Sequence, residues 1–226
     1  MRRSPDNGER VRSAVRDGRE KSDGGTNTKK VIAFILAVLV LITPASAEHI
    51  TERKGKGVER WLWEELSKHS PSDAVTAGVL AYFWRESQYQ SDAVSGAATM
   101  QAEHGWDLCG WVRRKTDKGM EDGSSRQWFV ETVRECGGYG LGQWHSLGYL
   151  KDLYRFARKH GTSIADAEMQ CAFVFHSLRQ DKKLWRRLKK CRDPEKAGRL
   201  IAIYYDGSDG YEYMGQKAGR LYEKYA

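Results

Sequence analysis

Proline is scarce in this chain: four residues in 226, with no Pro/Ser tract between apolar segments. An internal linker is therefore not expected, and the length suits one domain or two small ones. No segment repeats at a fixed period, which excludes a solenoid or a propeller. The four cysteines form no C-x-x-C pair and the six histidines no HxxxH, so a zinc site is not expected, and no other metal or organic cofactor is implied. The longest apolar run, VIAFILAVLVLI at 31–42, has twelve residues, short of the roughly 20 that span a bilayer as a helix. Charge of one sign does not dominate either. Residues 1–30 carry nine Lys/Arg and five Asp/Glu, residues 31–47 carry none, and residues 48–226 carry 29 against 25. The body is mildly basic without the concentrated stripe of a nucleic-acid binder, so no nucleic-acid partner is expected. Hydrophobic residues at 40% exclude a disordered chain. Eight Trp and eleven Tyr suggest a filled core and aromatic surface for a ligand.

The apolar run follows Lys29 and Lys30 and precedes TPASA, in which Ala45 and Ala47 have signal-peptidase spacing. Residues 1–30 then form a polar basic extension, 31–47 a signal peptide or membrane anchor, and 48–226 the functional domain. The basic flank places the N-terminus inside and the body outside. The expected location is secreted, in the cell wall, or anchored facing outward, with membrane contact only through 31–47 if they are retained. In an oxidising compartment Cys109, Cys136, Cys171 and Cys191 are disulfide candidates. Sequence proximity favours Cys109–Cys136 and Cys171–Cys191.

The body reads as helices joined by short turns. Residues 58–68 form the first. The second starts with Ser70 as cap, Pro71 at the first position and Asp73 completing a capping box. Its inward positions Val75, Val79 and Tyr82 continue to Glu86, eleven residues from Val75, or three turns to within about 20°. Glu86 therefore ends the buried stripe. Residues 92–127 lack clean periodicity and read as an irregular lobe with a short hairpin, followed by a short helix over 125–135. A Gly-rich turn, GGYGLGQW, occupies 137–144. Helices follow over 146–160, with Leu150, Leu153, Tyr154 and Ala157 inward, and after Asp166, where MQCAFVFHSL is apolar enough to be the central core helix. KKLWRRLKK is amphipathic and basic. Asp193-Pro194 starts a helix with Ala197, Leu200, Ile201 and Tyr204 inward, and the last helix turns Met214, Ala218, Leu221, Tyr222 and Tyr225 inward.

Glu86 follows Tyr82, Phe83 and Trp84 and sits where a core helix meets an open lobe. An apolar setting holds a carboxyl protonated, as a general acid requires. The bland alternative is a capping or ion-paired Glu, with Arg85 as partner. GGYGLGQWH offers backbone N–H groups, the Gln143 amide and the rings of Tyr139 and Trp144, a combination that holds sugars. No predicted strand precedes it, so it is no dinucleotide fingerprint.

Together, FWRESQYQSDAV and GGYGLGQW resemble the E-S-x-x-x-x-D-A and G-x-G-x-x-Q-W pair of phage tail-type lysozymes, relatives of goose-type lysozymes and lytic transglycosylases. A helix after the Gln-Trp and a Q-x-x-F core helix, here Gln170 and Phe173, extend the resemblance over about 58–226. It implies a mainly α (α+β lysozyme-like) fold: a helical bundle around a central apolar helix, with a small irregular or β lobe and a substrate cleft. It also implies cleavage of peptidoglycan glycan strands by one catalytic Glu, Glu86 by motif position, with Tyr139, Gly140, Gln143 and Trp144 lining the substrate. The chain departs from compact members by an insertion over about 97–136. Asp92, Glu103 and Asp107 are candidates for a second catalytic carboxylate, with Asp92, six residues after Glu86, also suited to turn work; lytic transglycosylases need none, since the sugar's own 6-hydroxyl attacks. His145 and His176 read as polar core or rim residues. A hydrolase, a lytic transglycosylase, and a catalytically silent wall-binding or tail-structural module remain the readings, and a monomer is expected. N-terminal sequencing of the exported protein should begin at Glu48; an exported chain that retains residues 1–47 overturns the cleavage site.

Overall fold

The computed structural model describes residues 56–226 apart from Ser208, and the side chains from residue 57. The expected extension over 1–30 and the signal or anchor over 31–47 lie outside the described residues. Helix α1 spans Lys56–Ser67, α2 Asp73–Ser87, α3 Ala97–His104, α4 Leu108–Lys118 and α5 Arg126–Cys136. Then come α6 (Leu147–His160), α7 (Ala167–Leu178), α8 (Lys182–Lys189) and α9 (Pro194–Ile201), a π-helical segment Ala202–Asp206, and α10 (Tyr211–Tyr225). The fold is mainly α. Among the described residues β pairing is confined to isolated bridges, Val94 with Tyr139 and Tyr139 with Trp144. No helix among them is long and apolar enough to cross a membrane.

Short polar side chains start these helices. Ser72, Asp107, Ser146, Asp166, Asp181 and Asp193 each accept a hydrogen bond from a first-turn backbone N–H, satisfying donors that the helix itself leaves unpaired. The cap of α2 is Ser72, two residues beyond the expected Ser70. Ser70 instead donates to the Ser72 carbonyl at 2.8 Å. The Ser72 hydroxyl also donates to the Cys191 carbonyl at 3.2 Å, so a tertiary contact with the α8–α9 corner selects the cap.

The expected irregular lobe is largely helical. In α4 only Gly110, Val112 and Thr116 are buried among Arg and Lys, and in α3 no residue is buried. Such helices write almost no apolar period into the sequence. A second difference follows α9. The π segment inserts an extra residue per turn, which rotates Tyr204 outward to 50% exposure. Tyr205 turns inward instead, donating to or accepting from Ser177 Oγ at 2.6 Å and accepting from Trp144 Nε1 at 3.0 Å.

Helix α7 is the central helix as expected. Met169, Gln170, Cys171, Phe173, Val174, Phe175, Ser177 and Leu178 are all buried, which leaves only a narrow face at Glu168, Ala172 and His176 outside the core. Helices α2, α9 and α10 pack closely. A Cβ on Gly78 would stand 3.0 Å from the Ala197 and Gly198 backbone, and one on Gly198 would stand 2.6 Å from the Met214 carbonyl. These two glycines let three backbones approach, which holds the end of α2 against the π segment.

The expected disulfides are not formed: all four cysteines are free thiols in this structure. Cys171 is buried in α7, and Cys191 Sγ donates to the Asp193 carbonyl at 3.2 Å. Cys109 and Cys136 are half-buried on α4 and α5. Burial raises the Cys109, Cys136 and Cys171 thiols above their ordinary range, which disfavours the thiolate that disulfide exchange requires.

Two polar groups, one half-buried and one fully buried, join distant parts of the chain. Glu59 accepts from Tyr89 Oη at 3.0 Å, Lys224 Nζ at 2.7 Å and Tyr225 Oη at 2.8 Å. Burial raises its carboxyl, and the hydrogen bonds from Lys224, Tyr225 and Tyr89 outweigh that, leaving it below its ordinary value. Gln170, fully buried, accepts from Leu141 N at 2.8 Å and donates to the Ser91 and Ile164 carbonyls, each at 2.8 Å.

Glu59→Gln should cost about 1–3 kcal/mol at neutral pH. Because folding depresses this carboxyl, its contribution is present above the unfolded value of about 4.3 and is lost as pH falls through the folded one. Urea melts of both proteins should therefore converge in acid. Gln170→Glu should be less stable than wild type and worsen as pH rises, because an ionised carboxylate would face two carbonyl oxygens; equal melting temperatures across pH would refute this role.

Candidate functional site

Helix α2 ends within one residue of Glu86, and its last turn is clamped to the Gly-rich turn. Ser87 Oγ lies 3.0 Å from both the Phe83 and Leu141 carbonyls, and Tyr82 Oη donates to the Gly142 carbonyl. The chain leaves through Gln88 and Tyr89, at φ 51° and 70°. Both lie in the left-handed region, which reverses the backbone at once. The Gly-rich turn closes on itself, with Tyr139 N to Trp144 O at 3.1 Å and Trp144 N to Tyr139 O at 3.0 Å. Gly140 N donates to the Ala93 carbonyl at 2.8 Å, and Ser95 N to the Gly138 carbonyl at 3.1 Å. A Cβ at Gly140, where φ is +76°, would meet Gln170 Oε1 at 2.6 Å. Glycine there permits both the turn and the approach of the core amide.

The Glu86 side chain is 21% exposed. Burial raises its carboxyl above the ordinary value and the negative charge of Asp206 adds to this, while Arg85 and His145 oppose it. Arg85 Nε lies 3.7 Å from Glu86 Oε1 and Arg85 Nη1 lies 3.1 Å from Asp206 Oδ2. Tyr82, one turn before Glu86, meets Tyr205 edge-on at 5.6 Å. His145 is followed by Ser146 on the wall of a groove of about 270 Å³, lined also by Tyr149, His176, Asp181, Tyr204 and Tyr205. Glu86 is not among the residues that line this groove. A carboxyl that resists ionisation can give a proton to a bound oxygen.

The other sequence candidates lie elsewhere. Asp92 is buried, and its charge acts on Cys109 and Tyr139, whereas the carboxylate acting on Glu86 is Asp206. Asp107 caps α4, and Glu103 is exposed on α3. The Tyr139 ring is fully buried edge-on against Phe129, and its hydroxyl has no hydrogen-bond partner. Trp144 is buried between Phe83 and Phe173. The Gln143 amide is spent inside the protein: Nε2 donates to the Ala93 and Gly140 carbonyls at 3.1 and 3.0 Å, and Oε1 accepts from Ser95 Oγ at 2.7 Å. These bonds hold Gln143 at φ 44°, a conformation that costs a non-glycine residue about 1–2 kcal/mol.

Asp206 is the residue that sequence reasoning missed. It stands in a D-G pair that reads as turn punctuation, and no spacing connects it with Glu86, 120 positions earlier. Among the described residues no group of three or more His, Cys, Asp or Glu side chains is arranged to hold a metal ion.

Comparison with curated proteins and with solved structures gave no match. The family model of phage tail lysozymes matches residues 58–225, which include α2, the Gly-rich turn, the core helix and the π segment. That match covers most of the sequence and contains both motifs around Glu86: the chain belongs to the phage tail lysozyme family.

Proposed function

We propose that this protein cleaves the glycan strand of peptidoglycan, with Glu86 as the general acid that protonates the leaving glycosidic oxygen. The carrying observation is the setting of Glu86: a partly buried carboxyl, raised by burial and by Asp206, at the end of the helix that is clamped to the Gly-rich turn. Glycan cleavage needs such a protonated carboxyl against an oxocarbenium-like transition state. Aromatic faces at Tyr149 and Tyr204, with polar groups at His176 and Asp181, suit a sugar chain. Export through residues 31–47, cleaved or kept as an anchor, would bring the domain to this polymer.

One observation favours lytic transglycosylation over hydrolysis. A second carboxylate that activates water must be free to reach it. Asp206 is engaged by Arg85, and Asp92 is buried. Attack by the sugar's own 6-hydroxyl needs no such group. Mass spectrometry of the fragments decides: 1,6-anhydro ends are lighter by one water than the reducing ends left by hydrolysis.

Glu86→Gln keeps the shape and removes the proton. It should lower wall cleavage by about 10²- to 10⁴-fold. Because folding raises this carboxyl, its contribution to stability is present below about pH 4.3 and is lost as pH rises through the folded value. The mutant should therefore melt level with wild type or above it at neutral pH. The wild-type rate should fall on an alkaline limb lying above the ordinary Glu value. Full activity in Glu86→Gln refutes the assignment.

A further inference from the structure

A general acid beside an arginine is a conflict, because a guanidinium within about 4–6 Å favours the ionised carboxylate. Arg85 is adjacent to Glu86 in sequence, and its Nε is 3.7 Å from Glu86 Oε1. We propose that Asp206 is the positioning residue that resolves this conflict, holding the Arg85 guanidinium so that Glu86 remains a proton donor. The proposal rests on Glu86 being the general acid and names what maintains it.

Three features of the geometry carry it. First, the shorter contact of Arg85 is to Asp206, with Nη1 3.1 Å from Oδ2. That pair is sheltered, the side chains being 31% and 14% exposed, so the attraction is less screened than in a surface pair. Second, the surroundings fit the guanidinium. Its Nη1 lies 3.7 Å from Met214 Sδ, and a Cβ on Gly210 would stand 3.1 Å from Arg85 Cζ and Nη1. The absence of a side chain at Gly210 gives the guanidinium its room. Third, Asp206 ends the π segment, a kind of helix insertion that often marks functional sites. The same insertion turns Tyr205 inward beneath Tyr82. The chain thus departs from regular helix at the point that brings a carboxylate to Arg85.

The charge balance around Glu86 is then explicit. Arg85 and Tyr82 stand on its own helix, Asp206 and Tyr205 on the π segment, and His145 on the loop before α6. Arg85 and a protonated His145 favour ionisation of Glu86. Asp206 opposes it twice, by occupying Arg85 and by its own negative charge.

The test is the pH dependence of Glu86, read in two ways on the full chain: the alkaline limb of wall cleavage, and the carboxyl titration of Glu86 by carbon-13 NMR. Asp206→Asn should shift both to lower pH by about one unit, while Asp206→Glu should keep the limb near its wild-type position. Arg85→Met, with Asp206 intact, should move both upward, and it tests the same balance if Asp206→Asn does not fold. Arg85→Met combined with Asp206→Asn should restore much of the shift. If Asp206→Asn lowers the rate at every pH while the limb and the titration stay in place, Asp206 is only structural and the proposal falls. The NMR titration does not depend on turnover. A Glu86→Gln protein that still cleaves would refute the general-acid reading, while the titration would still report what Asp206 does to Glu86.

Discussion

The Gln170 carboxamide is the constraint on which the site depends. It is a fully buried polar group in the first turn of an apolar helix, and burying it without partners would cost several kcal/mol by typical transfer values of about 2–7 kcal/mol. It is satisfied by Leu141 N, the Ser91 carbonyl and the Ile164 carbonyl. These belong to three different connections: the Gly-rich turn, the exit from α2 and the entry to α7. One side chain therefore sets the relative position of the Glu86 helix end and the turn beside it. Ser87 and Tyr82 complete the junction from the other side by bonding the Leu141 and Gly142 carbonyls. Hydrogen bonds in such surroundings are directional as well as stabilising, so the junction favours one geometry over many of similar compactness.

Within that frame, the state of Glu86 is a competition. Burial and Asp206 disfavour the charged form, and Arg85 and His145 favour it. None of these groups is unusual alone. The guanidinium next to Glu86 is paired with a carboxylate from 121 positions further along the chain. The π segment is needed for this: it reverses the expected roles of Tyr204 and Tyr205 and ends at Asp206.

The aromatic residues of the Gly-rich turn serve this frame from inside. Tyr139 and Trp144 pack against Phe129, Phe83 and Phe173. Gln143 spends its amide on the backbone of its own turn and on Ala93. The aromatic rings nearer solvent belong to the groove beside His145, where Tyr149 and Tyr204 contribute walls. A ring in a Gly-rich turn reads the same in sequence whether it faces a ligand or the core, since neither periodicity nor composition encodes direction there.

The sequence alone determined the elements whose signals are local. The helix starts at Asp166 and Asp193, the inward face Leu150, Leu153, Tyr154 and Ala157, and the apolar character of the core helix all depend on residues within one or two turns of each other. The place of Glu86 at the end of a buried stripe follows from the same short-range geometry. Only the tertiary structure decided the helices over 97–118, which bury too little to show a period, and the cap at Ser72, chosen by the Cys191 carbonyl. It also decided that the cysteines stand as free thiols, that Tyr139 and Trp144 turn inward, and that Asp206 rather than Asp92 is the carboxylate acting on Glu86. The physical reason is common to these: each depends on which groups meet across tens of residues, and such meetings are settled by packing and by the pairing of buried polar groups, which leave no pattern in neighbouring residues.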